Sequence, residues 1–544
     1  MQKNIMIVVI MGLMVSLTLI LSGCQQNESK IFRAELPPHD ETLKMSIQEK
    51  TTHGLERIDT TKKTYYDRIQ DLIYTYEIDT EPLSYLKVTK RILDNDDYFI
   101  FTTLENPSEE SVELSLSIPV ADTGYYSLQA FDQYRTGPRV SDDIKMDLTT
   151  TPLGLLTTYK DKEFHSNLMV GKQYHSREIS ESYEDNRESV LRELISENQN
   201  VDIDVKEDEL TLKMDMESIG DDIIDHWLMF SNETLFDSKA SYEQWIRLYN
   251  GKRYKNNNWY TARGPYKKVV RTAVPIPESE LQYGRNLLIV REDEPLSRYK
   301  DTQERYFYNL LLNSIANLDI FKGDKDFWET EYTNNWLNRV YGIEAPYIDT
   351  RHNEGVALFL EETGNVLDIP ELKQAMTNYA DFLVDQIEAE QVVKIGPNAG
   401  LISDYFTYHQ DVSVTHSSLN HVLGGMNLLL ETYNDTGEEK YLTAATYVQN
   451  GIDELGSQWL TDDGDTWYQI NPDYSFQGED YTLLTLTDLL HSLGLWKGID
   501  KTRTSTLEML IESKANYLVN EDINLSDEVV ELLNEHGFGE IVKE

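Results

Sequence analysis

The stretch HSSLNHVLGGMNLLLETYNDTGEEKYLTAATYVQNGIDELG, from His416 to Gly456, sets the architecture of the second half of the chain. Its apolar residues recur at helical spacing on both sides of Thr436-Gly437, which predicts helices near 416–434 and 438–456. A glycine just past a helix end takes the left-handed conformation that stops the helix. A similar Thr-Gly joint stands 73 residues earlier, where Leu360-Glu361-Glu362-Thr363-Gly364 precedes Pro370. A third turn is expected at His491-Ser492-Leu493-Gly494. The same period predicts helices near 303–318, 327–341, 352–363, 370–389, 480–494 and 504–518. Recurring helix pairs suggest stacked α-hairpins. A bundle, a solenoid and an α/α toroid are the options, and long loops bearing glycine and tyrosine favour the toroid.

Upstream of about residue 275 the period changes to two. Val112, Leu114, Leu116 and Ile118 alternate with polar residues, and Tyr98 to Leu104 is a β-rich run closed by Glu105-Asn106-Pro107. These two runs are expected to pair as a hairpin. Val201, Ile203 and Val205 alternate with acids, as do Leu210, Leu212, Met214 and Met216, and a second hairpin is expected across Lys206-Glu207-Asp208-Glu209. Residues from about 80 to 265 therefore read as an antiparallel sandwich or barrel, and the charged stretch Ser176 to Asn198 as helix or loop. The fold class is α+β and multidomain: an N-terminal antiparallel β-rich domain followed by a C-terminal α/α-hairpin domain, an incomplete toroid. The expected divisions are 1–23 signal peptide, 24–50 tether, 51–275 β-rich domain, 276–520 helical domain and 521–544 acidic tail.

The opening residues carry one charge, Lys3, then an uncharged run from Ile5 to Leu21 and Leu21-Ser22-Gly23-Cys24. A positive start, an apolar core and small residues before a cut site make a secretory signal. Leu-Ser-Gly-Cys resembles the bacterial lipobox. That resemblance implies lipidation at Cys24, a membrane partner through the N-terminal lipid and location on the extracytoplasmic face of the cell membrane. Cys24 is the only cysteine, so the mature chain has no disulfide and relies on a large core. A net charge of −46 argues against a nucleic-acid partner, which needs a basic face. The 34 tyrosines and 8 tryptophans suit a carbohydrate protein, and they equally suit aromatic cores.

Two segments could carry chemistry. Gly396-Pro397-Asn398-Ala399-Gly400 opens a loop, after which Asp404, Tyr405, Tyr408, His409, Asp411, His416 and His421 fall within 18 residues. Such a cluster is a functional-site candidate, and packed tyrosines with capping histidines are the plainer reading. His416 and His421 stand five apart and do not share a helix face, which suits a metal pair poorly. Between Glu243 and Glu278 there is no acid, while Arg253, Arg263, Lys267 and Arg271 interleave with Trp259, Tyr260 and Tyr266. Arginine binds carboxylates bidentately and aromatics offer stacking planes, so this window could hold an anionic ligand; balancing lysines on paired strands are the alternative. Asp462-Asp463-Gly464-Asp465 lacks the closing glutamate of a calcium loop and reads as a turn. No metal and no cofactor are expected.

A β-rich half followed by helix pairs resembles the D-glucuronyl C5-epimerases. That family's C-terminal domain carries Asp-Tyr-x-Thr-x-His shortly after Pro-Asn, and here Pro397-Asn398 precedes Asp404-Tyr405-Phe406-Thr407-Tyr408-His409. A second register sets Asp411 to His416 on the motif, with Val412 at the tyrosine. The resemblance implies proton removal at C5 of a uronic-acid polysaccharide, an anionic polymer being the expected partner, with Tyr405 inheriting a catalytic role. In that reading Arg253 or Arg263 neutralises the sugar carboxylate, with Trp259 and Asp404 beside it. Tyr405 or His409 takes the proton, and Tyr408 or His416 returns one. A tyrosine base needs its pKa lowered by neighbouring cations. The rival functions are a glycoside hydrolase or lyase on the same fold, the hydrolase drawing two carboxylates from Asp404, Asp411 and Asp480, and a surface lipoprotein that binds glycan without turnover.

Overall fold

The computed structural model describes residues 31–35, 44–51, 53–131, 151–251, 257–279 and 281–543. Cys24 and Arg253 lie outside these residues. No helix among the described residues is long and apolar enough to cross a membrane.

Val112, Leu114, Leu116 and Ile118 are all fully buried, while Glu113, Ser115 and Ser117 point away. Their strand, Val112–Ala121, sits in a five-stranded antiparallel sheet in the order Ile31–Glu35, Lys44–Glu49, Val112–Ala121, Glu209–Ser218, Val201–Lys206. The hairpin across Glu207-Asp208 forms as its alternation predicts, pairing Val201 with Met214 and Lys206 with Glu209. The other expected hairpin does not form. Among the described residues Tyr98–Asn106 pairs with Ser84–Leu93 and Asp222–Ser231 in a second, twelve-stranded sheet, and Val112–Ala121 pairs with strands of the first. The chain crosses between sheets at Pro107. The physical reason is in the run Tyr98 to Leu104, which is buried on both faces: Ile100 and Leu104 pack against the small sheet, and Phe99 and Phe101 against helices. A hairpin with one dry face has no use for a second apolar stripe.

The charged stretch 176–198 is neither helix nor loop. Gln173–Ser182 and Glu188–Asn198 form an antiparallel hairpin of the large sheet. Two boundaries also move. Ile31–Glu35 and Lys44–Glu49 are strands within the span expected as tether, and Gln282–Gly284, past residue 275, pairs with Glu188–Asn198.

Helix α1 (Arg305–Lys322) covers the open face of the large sheet, and the pair is locked by Arg91. Three antiparallel helix pairs follow: α2 (Thr350–Leu367) with α3 (Gln374–Glu388), α4 (Leu419–Thr436) with α5 (Glu439–Leu455), and α6 (Leu484–Ile499) with α7 (Ser505–Asn520). Helices α2, α4 and α6 pack side by side around one core, with their partners outside. Gly437 ends α4 with φ 71°, as the turn reading predicts. The other two turns fail. Helix α2 runs through Gly364 to Leu367, capped by Asp368 in the left-handed region, because Gly364 packs on Ile369 and Leu372. His491 to Gly494 lies inside α6. The expected helix 327–341 shrinks to Asn335–Tyr341. The acidic tail carries helix α8 (Asp527–His536), whose Val529 and Leu533 are buried in the helical core.

Candidate functional site

The segments that enter the helices build the site. Ile348–Asp349, immediately before α2, pairs with Tyr405–Phe406, setting Asp349 opposite Tyr405. On its other side Thr330 bridges Tyr347. Ser417–Ser418, immediately before α4, pairs with Trp467–Ile470. These short strands hold loop side chains at the helix ends, where a helix alone would splay them.

Asp404 is the hub. It is fully buried and accepts the Ser418 backbone N–H at 2.6 Å and the Ser418 hydroxyl. His416 Nε2 lies 3.0 Å and His421 Nε2 3.5 Å from the same carboxylate oxygen, Oδ2. The spacing that argues against a shared helix face is irrelevant, because His416 sits in the extended segment before α4 and His421 in its first turn. The second ring nitrogens are also occupied. His416 Nδ1 meets the Tyr341 hydroxyl at 2.9 Å, and His421 Nδ1 meets Thr350 Oγ1 at 2.8 Å. Burial would raise the Asp404 pKa, but the two imidazoles and Ser418 outweigh it and hold it below the usual carboxylate range. Burial pushes His421 down, toward neutral imidazole, against the pull of Asp404.

Tyr405 stands over this hub, half-buried, with its ring 5.9 Å from those of Tyr347 and His416 and 6.3 Å from that of His421. Burial, and then the anions Asp349 and Asp404, push its phenol well above 10. This is the opposite of the lowered pKa that a tyrosine base needs. Tyr468 and Tyr481, ring centroids 5.7 Å apart, are raised by burial and the same two aspartates. The arrangement presents protonated phenols, which are proton donors.

The other expected residues divide. Tyr408 packs on Phe406 at 4.6 Å and Phe327 at 5.4 Å and shares a cleft of about 460 Å³ with Tyr405, away from the Asp404 hub itself. His409 leaves the cluster too, and its Nε2–H donates to Glu329 Oε1 at 2.7 Å. Trp259 is fully buried, stacks on Tyr174 at 5.2 Å and donates to Asp225 at 3.0 Å, which makes it part of the core and no sugar platform. Arg263 is exposed and lines two adjoining clefts, of about 830 and 450 Å³, between the large sheet and the helices. Asp480 is committed to Lys514 at 2.9 Å and to Thr466 and Thr485, and Asp411 is exposed at the same cleft of about 460 Å³ that Tyr405 and Tyr408 line and that neither Asp404 nor Asp480 lines. Asp465 of the turn at 462–465 is likewise held by Lys514. Among the described residues no group of three or more His, Cys, Asp or Glu is set to hold a metal.

Sequence reasoning passes over Asp349, Tyr341, Tyr468 and Glu329. Asp349 had a local signal, an acid just before a helix, where it accepts the His352 backbone N–H at 2.9 Å. The others are brought in by tertiary contacts alone.

No protein-family model and no curated protein matches this chain. Solved structures do. A selenomethionine form of the GH76 α-mannanase of Bacteroides thetaiotaomicron is 15% identical, with 47% of this chain and 68% of that one covered and a TM-score of 0.32. Cellobiose 2-epimerase from Bacillus thermoamylovorans is 13% identical, with 54% and 74% covered and a TM-score of 0.38. A D-mannose isomerase is 12% identical, with 41% and 56% covered and a TM-score of 0.30. These neighbours are carbohydrate enzymes by name. The superpositions are loose, and the reading of the site rests on its own geometry.

Proposed function

We propose that this chain is a carbohydrate-processing lipoprotein, held at the extracytoplasmic face of the cell membrane by lipid on Cys24, that exchanges the C5 proton of a uronic-acid polysaccharide. The observation that carries the reading is the gathering of Tyr405, Tyr468 and Tyr481 above the buried Asp404–His416–His421 hub. Burial keeps all three phenols protonated, so each, though a weak acid, can return a proton to a strongly basic carbanion-like centre, and Tyr405, packed beside the hub, would do so from one face. The residues needed for this lie on loops entering helices, where reactive groups are commonly displayed.

The test is NMR of uronic-acid polysaccharides incubated in heavy water with the mature chain from Cys24 onward. Deuterium at C5 is the expected result. Tyr405→Phe should lower the exchange rate about 10²-fold or more while leaving the melting temperature close to that of the parent. Unsaturated sugar ends would instead mean elimination, and new reducing ends hydrolysis.

One observation favours a second reading. All four ring nitrogens of His416 and His421 are engaged by protein groups, so this hub offers no free base. A glycan-binding lipoprotein without turnover is consistent with that, and binding of a polymer that neither exchanges nor shortens would establish it.

A further inference from the structure

We propose that the cleft of about 830 Å³ on the face of the large sheet beside α1 is a further carbohydrate site, one that takes a neutral, hydroxyl-rich oligosaccharide. The cleft shares no residue with the Asp404 hub, and the inference needs neither that hub nor the exchange reaction.

The alternation of the sheet makes the cleft. Along Tyr98–Asn106 one face carries Phe99, Phe101, Thr103 and Glu105 in turn. The two phenylalanines belong to the core that α1 covers, and the next two residues are half-buried and polar. The neighbouring strands continue the polar stripe. Thr103 stands opposite Lys87 on one side and Asp225 on the other, and Glu105 stands opposite Tyr85. Opposed residues in a sheet share a face. Arg192 closes the row two strands beyond Asp225. From Ser84–Leu93 to Glu188–Asn198 the strands are spaced at about 4.8 Å, so the floor runs roughly 19 Å, long enough for several sugar rings in line. Ile320 of α1 and Thr261, Ala262 and Tyr266 wall it.

Arg192 is the residue that points to a ligand. It is 7% exposed, and among the described residues its only hydrogen bond runs from Nη1 to Ser176 Oγ at 3.3 Å. Nε is buried without a partner. Glu178 stands 3.7 Å from Nε and Asp225 3.8 Å from Nη1, both too far for a hydrogen bond. Arg91, buried on the same sheet, is by contrast held by Asp71, Asn313, Asn317 and Ala262. A buried guanidinium left this open is costly until something fills the gaps around it. Its position is fixed by Tyr266, whose ring centroid lies 5.0 Å from the guanidinium carbon.

The charges around Arg192 select the ligand. Glu105, Glu178 and Asp225 line the same cleft and repel an anion, while the open guanidinium repels a cation. The other charges are engaged or outlying. Lys87 pairs with Glu105 at 2.7 Å, Asp222 with His175 at 2.7 Å and Asp221 with Arg177 at 3.2 Å. Asp71 is held by Arg91, and Lys63 and Arg263 are exposed. A hydroxyl group meets both demands, because it accepts from Arg192 and donates to Glu178 or Asp225 across gaps of 3.7 and 3.8 Å. Water can close one such gap, but the length of the floor and its free ring suit a sugar. That ring is Tyr85, half-buried on the floor, which among the described residues has neither a ring contact nor a hydrogen-bond partner. The volume of about 830 Å³ lies within the roughly 300–1,000 Å³ of small-ligand sites.

The experiment is isothermal titration calorimetry of the mature chain with cellohexaose, mannohexaose and maltohexaose as neutral probes, followed by competition with hexagalacturonate. At least one neutral probe should bind, and hexagalacturonate should not displace it. Tyr85→Ala and Arg192→Lys should each weaken that binding about tenfold or more, the first by removing the stacking plane and the second by removing the fork of donors while keeping the charge. Tyr85→Ala alters only a half-buried residue of the floor, so it decides the matter should Arg192→Lys fail to fold. Failure of all three neutral probes to bind, displacement by hexagalacturonate, or binding that a folded variant leaves intact overturns this inference and leaves the exchange reading standing. Absence of deuterium exchange at C5 overturns that reading alone.

Discussion

Arg91 is the test of how the two halves are joined. It is fully buried, and every one of its five N–H donors has an acceptor. Nε and Nη2 meet the two oxygens of Asp71, each at 2.8 Å. Nη1 reaches Asn313 at 2.7 Å and Asn317 at 2.6 Å on α1, and Nη2 also reaches Ala262 O at 2.8 Å. Burial disfavours the charge, but Asp71 outweighs it and keeps the guanidinium protonated. Asp71→Asn removes the countercharge and turns amide hydrogens toward the guanidinium. Breaking a buried pair from one side costs about 3–5 kcal/mol, a large part of the roughly 5–15 kcal/mol that a domain has. The pair of exposed groups Lys300 and Glu362 is the control, and Glu362→Gln should change stability by less than about 1 kcal/mol. Urea unfolding followed by both tryptophan fluorescence and circular dichroism measures the difference and shows whether sheet and helices still unfold together. Because Ala262 precedes Arg263, loosening this knot should also misplace the cleft wall. An Asp71→Asn loss below about 1 kcal/mol would refute the argument that this charge pair fastens α1 to the sheet.

Burial, with Glu361 and Asp435 nearby, raises Glu431 to about 7. A carboxyl whose folded pKa exceeds its unfolded value weakens the fold as pH rises through the window from about 4.5 to 7. Glu431→Gln should therefore stabilise at pH 8 by on the order of 1–2 kcal/mol and much less at pH 5; equal shifts in melting temperature at both pH values would contradict this. Asp404 has the opposite sign: its depressed pKa contributes stability above about pH 4 that is lost as pH falls through the folded value. Asp404→Asn should flatten the acid limb of the melting profile and cost about 2–3 kcal/mol at pH 7. Cys24→Ser should abolish incorporation of labelled fatty acid and release the chain from the membrane fraction, and persistent label would remove the lipoprotein proposal.

The strand and helix runs with one apolar stripe were legible, and the pairings were legible only where the connection was tight. Lys206 to Glu209 leaves room for nothing but a hairpin, and it forms one. Between Tyr98–Asn106 and Val112–Ala121 the link Pro107 to Ser111 looks as short, yet the strands belong to different sheets. The clue was burial on both faces of the first strand, which a period-two search on one face does not register. Gln173–Ser182 and Glu188–Asn198 were missed for a related reason. Arg192 and Lys172 are buried there, Lys172 against Glu197 at 3.3 Å, so the charges that suggest solvent are interior partners. At Gly364 the glycine answers close packing, and no turn is required.

The site was partly legible for a different physical reason. A dense run of Asp, Tyr and His marked the correct loop, because its residues return to one hub. What sequence spacing could not reveal was which way each side chain faces. Tyr405 looks onto Asp404, Tyr408 onto Phe406 and Phe327, and His409 onto Glu329, 80 residues away. This sorting reverses the expected chemistry. Tyr405 has two carboxylates and no cation among its leading neighbours, so its phenol holds its proton and can only give it.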